Sequence, residues 1–369
     1  MKCTILPPRI LRRIAEQGDA QQRSAALNTL AGDSTIRMAR ATFSLLEVRT
    51  HQADVSVVAP VKQRTIYDAK SGSTLSGSVV RAEGAKASRD VAVNEAYDGL
   101  GDTWDFYWTV YQRNSIDGEG LHLDATVHYR RQYDNAFWDG HQMVFGDGDG
   151  RLFNRFTISI DVIGHELTHG VTGDEVGLVY MGQPGALNES ISDVFGSLVK
   201  QYTLKQTADK ADWLIGAGLL ARGVKGVALR SMKAPGTAFD DPVLGKDDQP
   251  ANMKDYVQTS DDNGGVHTNS GNPNHAFYLA AVAIGGYAWE KAGKIWYDTI
   301  RDPSLRNTAT FAQFAAATQS NAAKLYGHAS AEYKAVTDAW TQVGVIKAPA
   351  APKTPTKPKR KPRATQPKR

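Results

Sequence analysis

The chain has 369 residues, 41% of them apolar and 22% charged, which is enough for two packed domains. No apolar run approaches the ~20 residues that cross a bilayer as a helix, and a single cysteine, Cys3, excludes an intrachain disulfide framework. The net charge of +4 comes from the ends: residues 347–369 hold nine Lys or Arg and no acid, residues 1–50 hold another +4, and residues 51–346 stand at −9. The acidic body therefore gives no ground for nucleic-acid binding.

The first thirteen residues are basic but lack a long apolar stretch, and Pro7-Pro8 interrupts them, so no Sec-type leader is read. The expectation is synthesis in a bacterial cytoplasm, with export by another route left open. Residues 1–50 read as a small separate unit. Ile10, Leu11 and Ile14 stand at helical spacing. A second helix is expected over 19–30, ended by Ala31-Gly32-Asp33, with residues 43–46 docking on the body. Residues 65–81 read as strand and turn. A helix is expected around 90–114, where Ala96, Leu100, Trp104, Tyr107 and Tyr111 recur at threes and fours. Leu121, Leu123, Ala125, Val127 and Tyr129 alternate as in a half-buried strand. Gly146-Asp147-Gly148-Asp149-Gly150 is a tight turn whose acids lack EF-hand spacing. Helices are then expected near 158–172, 187–203, 274–290, 309–326 and 330–342. From Lys347 the chain mixes Pro, Lys, Arg, Ala and Thr without an apolar stripe, which predicts a disordered basic tail able to touch anionic surfaces.

Chemistry concentrates in His165-Glu166-Leu167-Thr168-His169. Histidines four apart share one helical face, one turn apart, and two imidazoles so placed can reach one tetrahedral zinc ion. Glu166, beside the first of them, can reach a water at the metal and act as general base. A surface helix with two solvated histidines gives the same pattern. A third ligand is needed, and Glu189 is the best candidate. It lies on a helix whose apolar face is Leu187, Ile191, Val194, Phe195 and Leu198. Glu189 and Asp193 fall about 200–240° around from Leu187 and so share a side. That side faces either solvent or a metal, with Asp193 then bonded to a ligand histidine. Further on, Asp262-Asn263-Gly264-Gly265-Val266-His267 offers a histidine on a glycine-rich loop. It either stabilises an oxyanion or is an ordinary satisfied loop histidine.

These residues resemble the thermolysin-like neutral metallopeptidases. Five stretches carry the likeness in family order: Asn135-Ala136-Phe137-Trp138, the His165–His169 motif, Gly177 to Asp193, Leu229-Arg230-Ser231-Met232, and Asp262 to Asn274. The front segment, with Ile5-Leu6-Pro7-Pro8 and Ile10-Leu11, resembles the short propeptide of the protealysin-type subgroup. The resemblance implies an α+β fold with a β-rich N-terminal domain, a mainly helical C-terminal domain and an active-site cleft between them. The divisions expected are a propeptide at 1–50, catalytic domains at 51–172 and 173–346, and a tail at 347–369, with self-processing near 44–60.

The implied function is that of a zinc endopeptidase made as a monomeric zymogen, acting on protein or peptide substrates, with its propeptide bound in cis. The alternative is a zinc-binding interaction protein that cuts nothing. The resemblance assigns zinc to His165, His169 and Glu189, water activation to Glu166, and stabilisation of the tetrahedral intermediate to Tyr180 and His267. Asp262 would orient His267 and Asp193 would support His165. Asn135, Ala136 and Arg230 would hold substrate backbone. The family's pocket past the scissile bond maps to Phe153, Phe156, Val162, Ile215 and Leu229, which predicts cleavage before large apolar residues. The family's double calcium site is expected to be absent: Asp161 and Asp212 remain, but Lys200, Leu214 and Ala217 fill its other positions. Lys200 is expected to pair with one of the two acids.

Overall fold

The computed structural model describes residues 3–43 and 60–347. The segment expected to dock at 43–46, the processing region at 44–60 and the basic tail fall largely or wholly outside the described residues. The chain begins with β1 (Cys3–Thr4), α1 (Pro8–Gln17) and α2 (Ala20–Phe43). Pro8 presets the first turn of α1, and Ile10, Leu11 and Ile14 form its buried face. Gly32 does not end α2, contrary to the sequence reading. An ideal Cβ there would lie 3.4 Å from Arg130 Nε and Tyr133 Cε2, an ordinary contact, so the helix simply continues through this glycine. The front segment contacts the body through β1, which joins the body's sheet.

That sheet has six strands in the order β1-β5-β6-β4-β2-β3. They are β2 (Arg64–Asp68), β3 (Ser78–Ala82), β4 (Leu123–Val127), β5 (Ala136–Trp138) and β6 (Gln142–Phe145) with β1 at the edge. Helix α3 (Val91–Tyr111), between β3 and β4, covers the sheet, with Ala96, Leu100, Trp104, Tyr107 and Tyr111 all buried. Strand β4 runs parallel to both neighbours. The expected alternation fails at Thr126, which is fully buried. Its hydroxyl donates to Gln142 Oε1 at 2.6 Å, so a polar residue is accommodated where a strand is covered on both faces.

After β4, His128 takes a left-handed backbone (φ 55). Its Nδ1 lies 2.8 Å from Asp147 of the glycine-rich turn, and its Nε2 lies 2.8 Å from Asp90, the N-cap of α3. The bond to Asp147 outweighs burial, and with Asp90 it pushes the imidazole up to about 9 from 6.5. Only the doubly protonated ring donates to both acids. A raised folded-state pKa contributes stability that is complete below about 6.5 and lost as pH rises to about 9. With both carboxylates partly exposed, the loss should be about 1–2 kcal/mol. Urea midpoints measured from pH 6 to 9.5 should show this decline, and His128→Gln should flatten it; equal slopes would refute the assignment.

The remaining chain is mainly helical. Helix α4 (Ile160–Asp174) packs against α5 (Gly182–Leu204). Glycines set their separation: a Cβ on Gly196 would lie 2.3 Å from the Asp161 carbonyl oxygen, and one on Gly164 would lie 3.1 Å from Gly196 Cα. Two short strands, β7 (Leu214–Ile215) and β8 (Arg230–Ser231), pair antiparallel, and β9 (Asp240–Asp241) and β10 (Gly245–Lys246) form a hairpin. Then come α6 (Asp262–Asn269), α7 (Gly271–Ile284), α8 (Ala292–Ile300), α9 (Phe311–Tyr326) and α10 (Ala331–Gln342). The sequence reading omitted α8 and began α7 three residues late. Trp296 of α8 stacks on Trp340 of α10, both fully buried, so tertiary packing sustains this nine-residue helix.

Candidate active site

The approach of α4 to α5 brings three donors together. His165 Nε2 and His169 Nε2 stand 3.0 Å apart, and Glu189 oxygens lie 3.4 and 3.6 Å from them. All the ligand atoms lie within 4.8 Å of one another. The residues are at most 1% exposed, which removes the reading of a solvated surface helix. Helix α5 is buried on both sides, so the side carrying Glu189 and Asp193 faces α4 and not solvent.

Each histidine is held through its other nitrogen. His165 Nδ1 is 2.7 Å from Asp193 Oδ1, and His169 Nδ1 is 2.6 Å from Asn188 Oδ1. An acceptor at Nδ1 requires the N–H there and leaves the Nε2 lone pair facing the centre. Two imidazole nitrogens and one carboxylate, dry and convergent, are the donor set of a catalytic zinc site with an open position.

Asp193 does more than hold His165. Its carboxylate also accepts from Arg230 Nε at 2.8 Å, Arg230 Nη2 at 2.7 Å and Asn274 Nδ2 at 2.8 Å. Burial opposes its ionisation, but Arg230 and His165 prevail and hold it well below the usual carboxylate range. Arg230 sits on β8, whose partner strand ends in Ile215, and the Leu229 N–H bonds the Ile215 carbonyl at 3.0 Å. Thus the arginine adjoins Leu229 and Ile215, two of the five residues expected to line an apolar pocket. Phe153, Phe156, Val162, Ile215 and Leu229 are all at most 3% exposed, with the two phenyl rings 5.9 Å apart.

Across the cleft, the Trp138 N–H donates to Glu166 Oε2 at 3.1 Å and orients it. Tyr180 donates its hydroxyl to Glu189. Asn263, Gly264 and Gly265 all have left-handed φ and curl the start of α6 back on itself. The Asp262 carboxylate then reaches the His267 backbone N–H at 3.1 Å and its ring Nδ1 at 3.0 Å. His267 Nε2 faces Glu189 at 3.4 Å. The sequence reading placed this histidine on a glycine-rich loop before a helix; residues 262–265 are indeed left-handed and not helical, and the right-handed turn that carries His267 begins only after them.

The front segment lies in this cleft. Strand β1 pairs antiparallel with β5, and the Asn135 side chain bonds both the Leu6 N–H (3.0 Å) and the Leu6 carbonyl (3.4 Å). From α2, Asp33 accepts from Asn135 Nδ2 at 2.8 Å and from the Tyr133 hydroxyl. Sequence reasoning named no role for Asn188, Asn274 or Asp33. Asn188 could have been suspected, because it adjoins a ligand on the side that turns toward α4. Asp33 carried no local signal, since its partners lie about a hundred residues away.

At the expected calcium position, Lys200 Nζ stands 3.1 Å from Asp161 and 2.8 Å from Asp212, bridging both acids. Burial lowers the lysine's pKa, yet the two carboxylates raise it above its ordinary value.

Two family models match the chain: thermolysin metallopeptidase, catalytic domain, over residues 19–173, and thermolysin metallopeptidase, alpha-helical domain, over residues 176–345. The chain is 53% identical to an extracellular metalloprotease of Pectobacterium carotovorum subsp. carotovorum, over 93% of this chain and 96% of that one. It is 49% identical to Protease PrtS of Photorhabdus sp. (strain Az29), over 92% and 91%. Among solved structures, the precursor of protealysin, a metalloproteinase from Serratia proteamaculans, superposes with a TM-score of 0.84 at 57% identity, covering 93% of this chain and all of the other.

Proposed function

The chain belongs to the thermolysin metallopeptidase family, and from that premise we propose that it is a zinc endopeptidase, made as an inhibited precursor, that cuts on the N-terminal side of large apolar residues. The observation that carries this reading is the dry His165–His169–Glu189 donor set with Glu166 beside it and His267 across from it. When bound there, zinc supplies a water of lowered pKa and polarises the scissile carbonyl. Glu166, aligned by the Trp138 N–H, takes the proton from the water and delivers it to the leaving amine. Tyr180 and His267 donate to the oxygen on which charge develops, and Asp262 fixes the His267 ring. Asn135, Ala136 and Arg230 grip the substrate backbone, and Asp193 keeps both Arg230 and His165 in place. The interaction-protein alternative loses its ground, because the family is one of peptidases and the groups for hydrolysis are assembled.

The apolar pocket sets selectivity. A carboxylate buried among Phe153, Phe156, Val162, Ile215 and Leu229 would lose its hydration without a partner, so a peptide with Glu after the scissile bond should be cut at least about a hundredfold more slowly than one with Leu or Phe. Equal kcat/KM values across that series would end the proposal. Lys200 bridges Asp161 and Asp212, offsets part of their charge and repels a divalent cation, so calcium is not taken up between them; an anomalous calcium peak beside Asp161 would show otherwise.

A further inference from the structure

The front segment blocks the cleft in the direction and register of a substrate. Thr4 lies opposite Phe137 and Cys3 opposite Trp138, as a strand added antiparallel to β5. The Ile5 N–H donates to the Ala136 carbonyl at 3.2 Å, and Arg230 Nη1 donates to the Ile5 carbonyl at 3.1 Å. The Leu6 N–H meets Asn135 Oδ1 at 3.0 Å. The Thr4 carbonyl oxygen lies 3.0 Å from His267 Nε2, the group assigned to the developing oxyanion. Every residue proposed to hold a substrate backbone therefore holds this one.

A blocking segment escapes hydrolysis if it runs backwards or places proline after the scissile carbonyl, where no N–H remains. This one does neither. Ile5, the residue following that carbonyl, is large, apolar and fully buried, as the pocket requires. Pro7 and Pro8 come later, at positions where the contacts described ask for no N–H.

Resting on the endopeptidase reading above, we propose that the Thr4–Ile5 peptide bond is a self-cleavage site, and that the precursor removes its own first four residues while Ile5 onward stays in the cleft. One water is consumed. The C–N bond breaks, the hydroxyl adds to the Thr4 carbonyl carbon to give a carboxylate, and the proton passes through Glu166 to the Ile5 amine. The cut does not free the site, because contacts beyond the bond persist: Arg230 on Ile5, Arg9 with Asp248 at 2.5 Å, Arg12 with Asp261 at 3.2 Å, and Asp33 on Asn135. The product is a clipped chain that is still inhibited, formed before any release of the whole segment.

The test follows intact mass and N-terminal sequence of the full zinc-loaded chain over time, at two concentrations tenfold apart, beside Glu166→Ala. The proposal expects a first-order conversion to a chain beginning at Ile5, independent of concentration and absent in Glu166→Ala. In the metal-free chain, where nothing is cut, the Ile5 and Leu6 amides should exchange hydrogen at least about tenfold more slowly than in a synthetic peptide of residues 1–9. A chain that hydrolyses the apolar peptide series once the front segment is displaced, yet keeps Met1–Thr4 throughout, overturns this proposal and leaves the peptidase reading standing. Unprotected Ile5 and Leu6 amides, or a cut at another bond within residues 1–10, also overturn it. Failure of every form to hydrolyse any peptide overturns the peptidase reading and this one together.

Discussion

Glu166→Ala should leave a folded chain with its zinc in place and lower kcat/KM for an apolar peptide by about 10³–10⁴. Zinc retention follows because the donors are His165, His169 and Glu189, and the groups orienting them, Asp193 and Asn188, are untouched. The size of the loss follows from the step removed. General base and acid catalysis by one positioned carboxylate contributes about 10²–10⁴, and here the same group serves attack and departure. Glu166 is fully buried and aligned by the Trp138 N–H, so no bulk carboxylate can take its place. Metal content by mass spectrometry, far-UV circular dichroism and steady-state rates should be read on the same sample. Retention of more than about a tenth of wild-type kcat/KM would mean that the proton goes elsewhere and that Glu166 is misassigned.

The metal-binding elements were legible because their signals are local. His165 and His169 are one turn apart, and the phase of Glu189 and Asp193 on α5 follows from counting residues along one helix. The threes and fours of α3 are likewise a short-range pattern, whereas the alternation read around β4 marks the strand but not the burial of Thr126. What escaped notice was non-local. Gly32 looks like a helix end because glycine is poor within helices, but α2 runs through it to Phe43, with the adjoining Asp33 held by Tyr133 and Asn135 from about a hundred residues away. Strand β1 is two residues long and exists only because β5 offers an edge to pair with. Helix α8 has nine residues and weak intrinsic support, and Trp340 supplies the packing that keeps it. The double duty of Asp193 was half visible: its reach to His165 follows from helix phase, whereas Arg230 arrives from a strand thirty-seven residues later.

That double duty makes Asp193 the most consequential site apart from the ligands and Glu166. Its carboxylate joins His165 of the candidate metal site, Arg230, proposed above to hold substrate backbone, and Asn274 of α7. Asp193→Ala should weaken zinc binding by about 10–100-fold, the cost of losing the acceptor that fixes a ligand imidazole. It should also destabilise the metal-free chain by about 3–5 kcal/mol, because Arg230, only 4% exposed, is left as an uncompensated buried charge. Arg230→Met alone should cost a similar amount by stranding Asp193. Removing both charges together, as Asp193→Leu with Arg230→Met, should cost clearly less than the sum, since neither charge is then buried alone. Chelator competition reads the first effect, and urea midpoints of the metal-free proteins read the others. The double substitution should keep the weakened zinc binding even where stability recovers, because His165 still lacks its acceptor. Strictly additive stability losses would show that Asp193 and Arg230 are not coupled, and zinc affinity restored in the double variant would show that Asp193 acts on the metal only through Arg230.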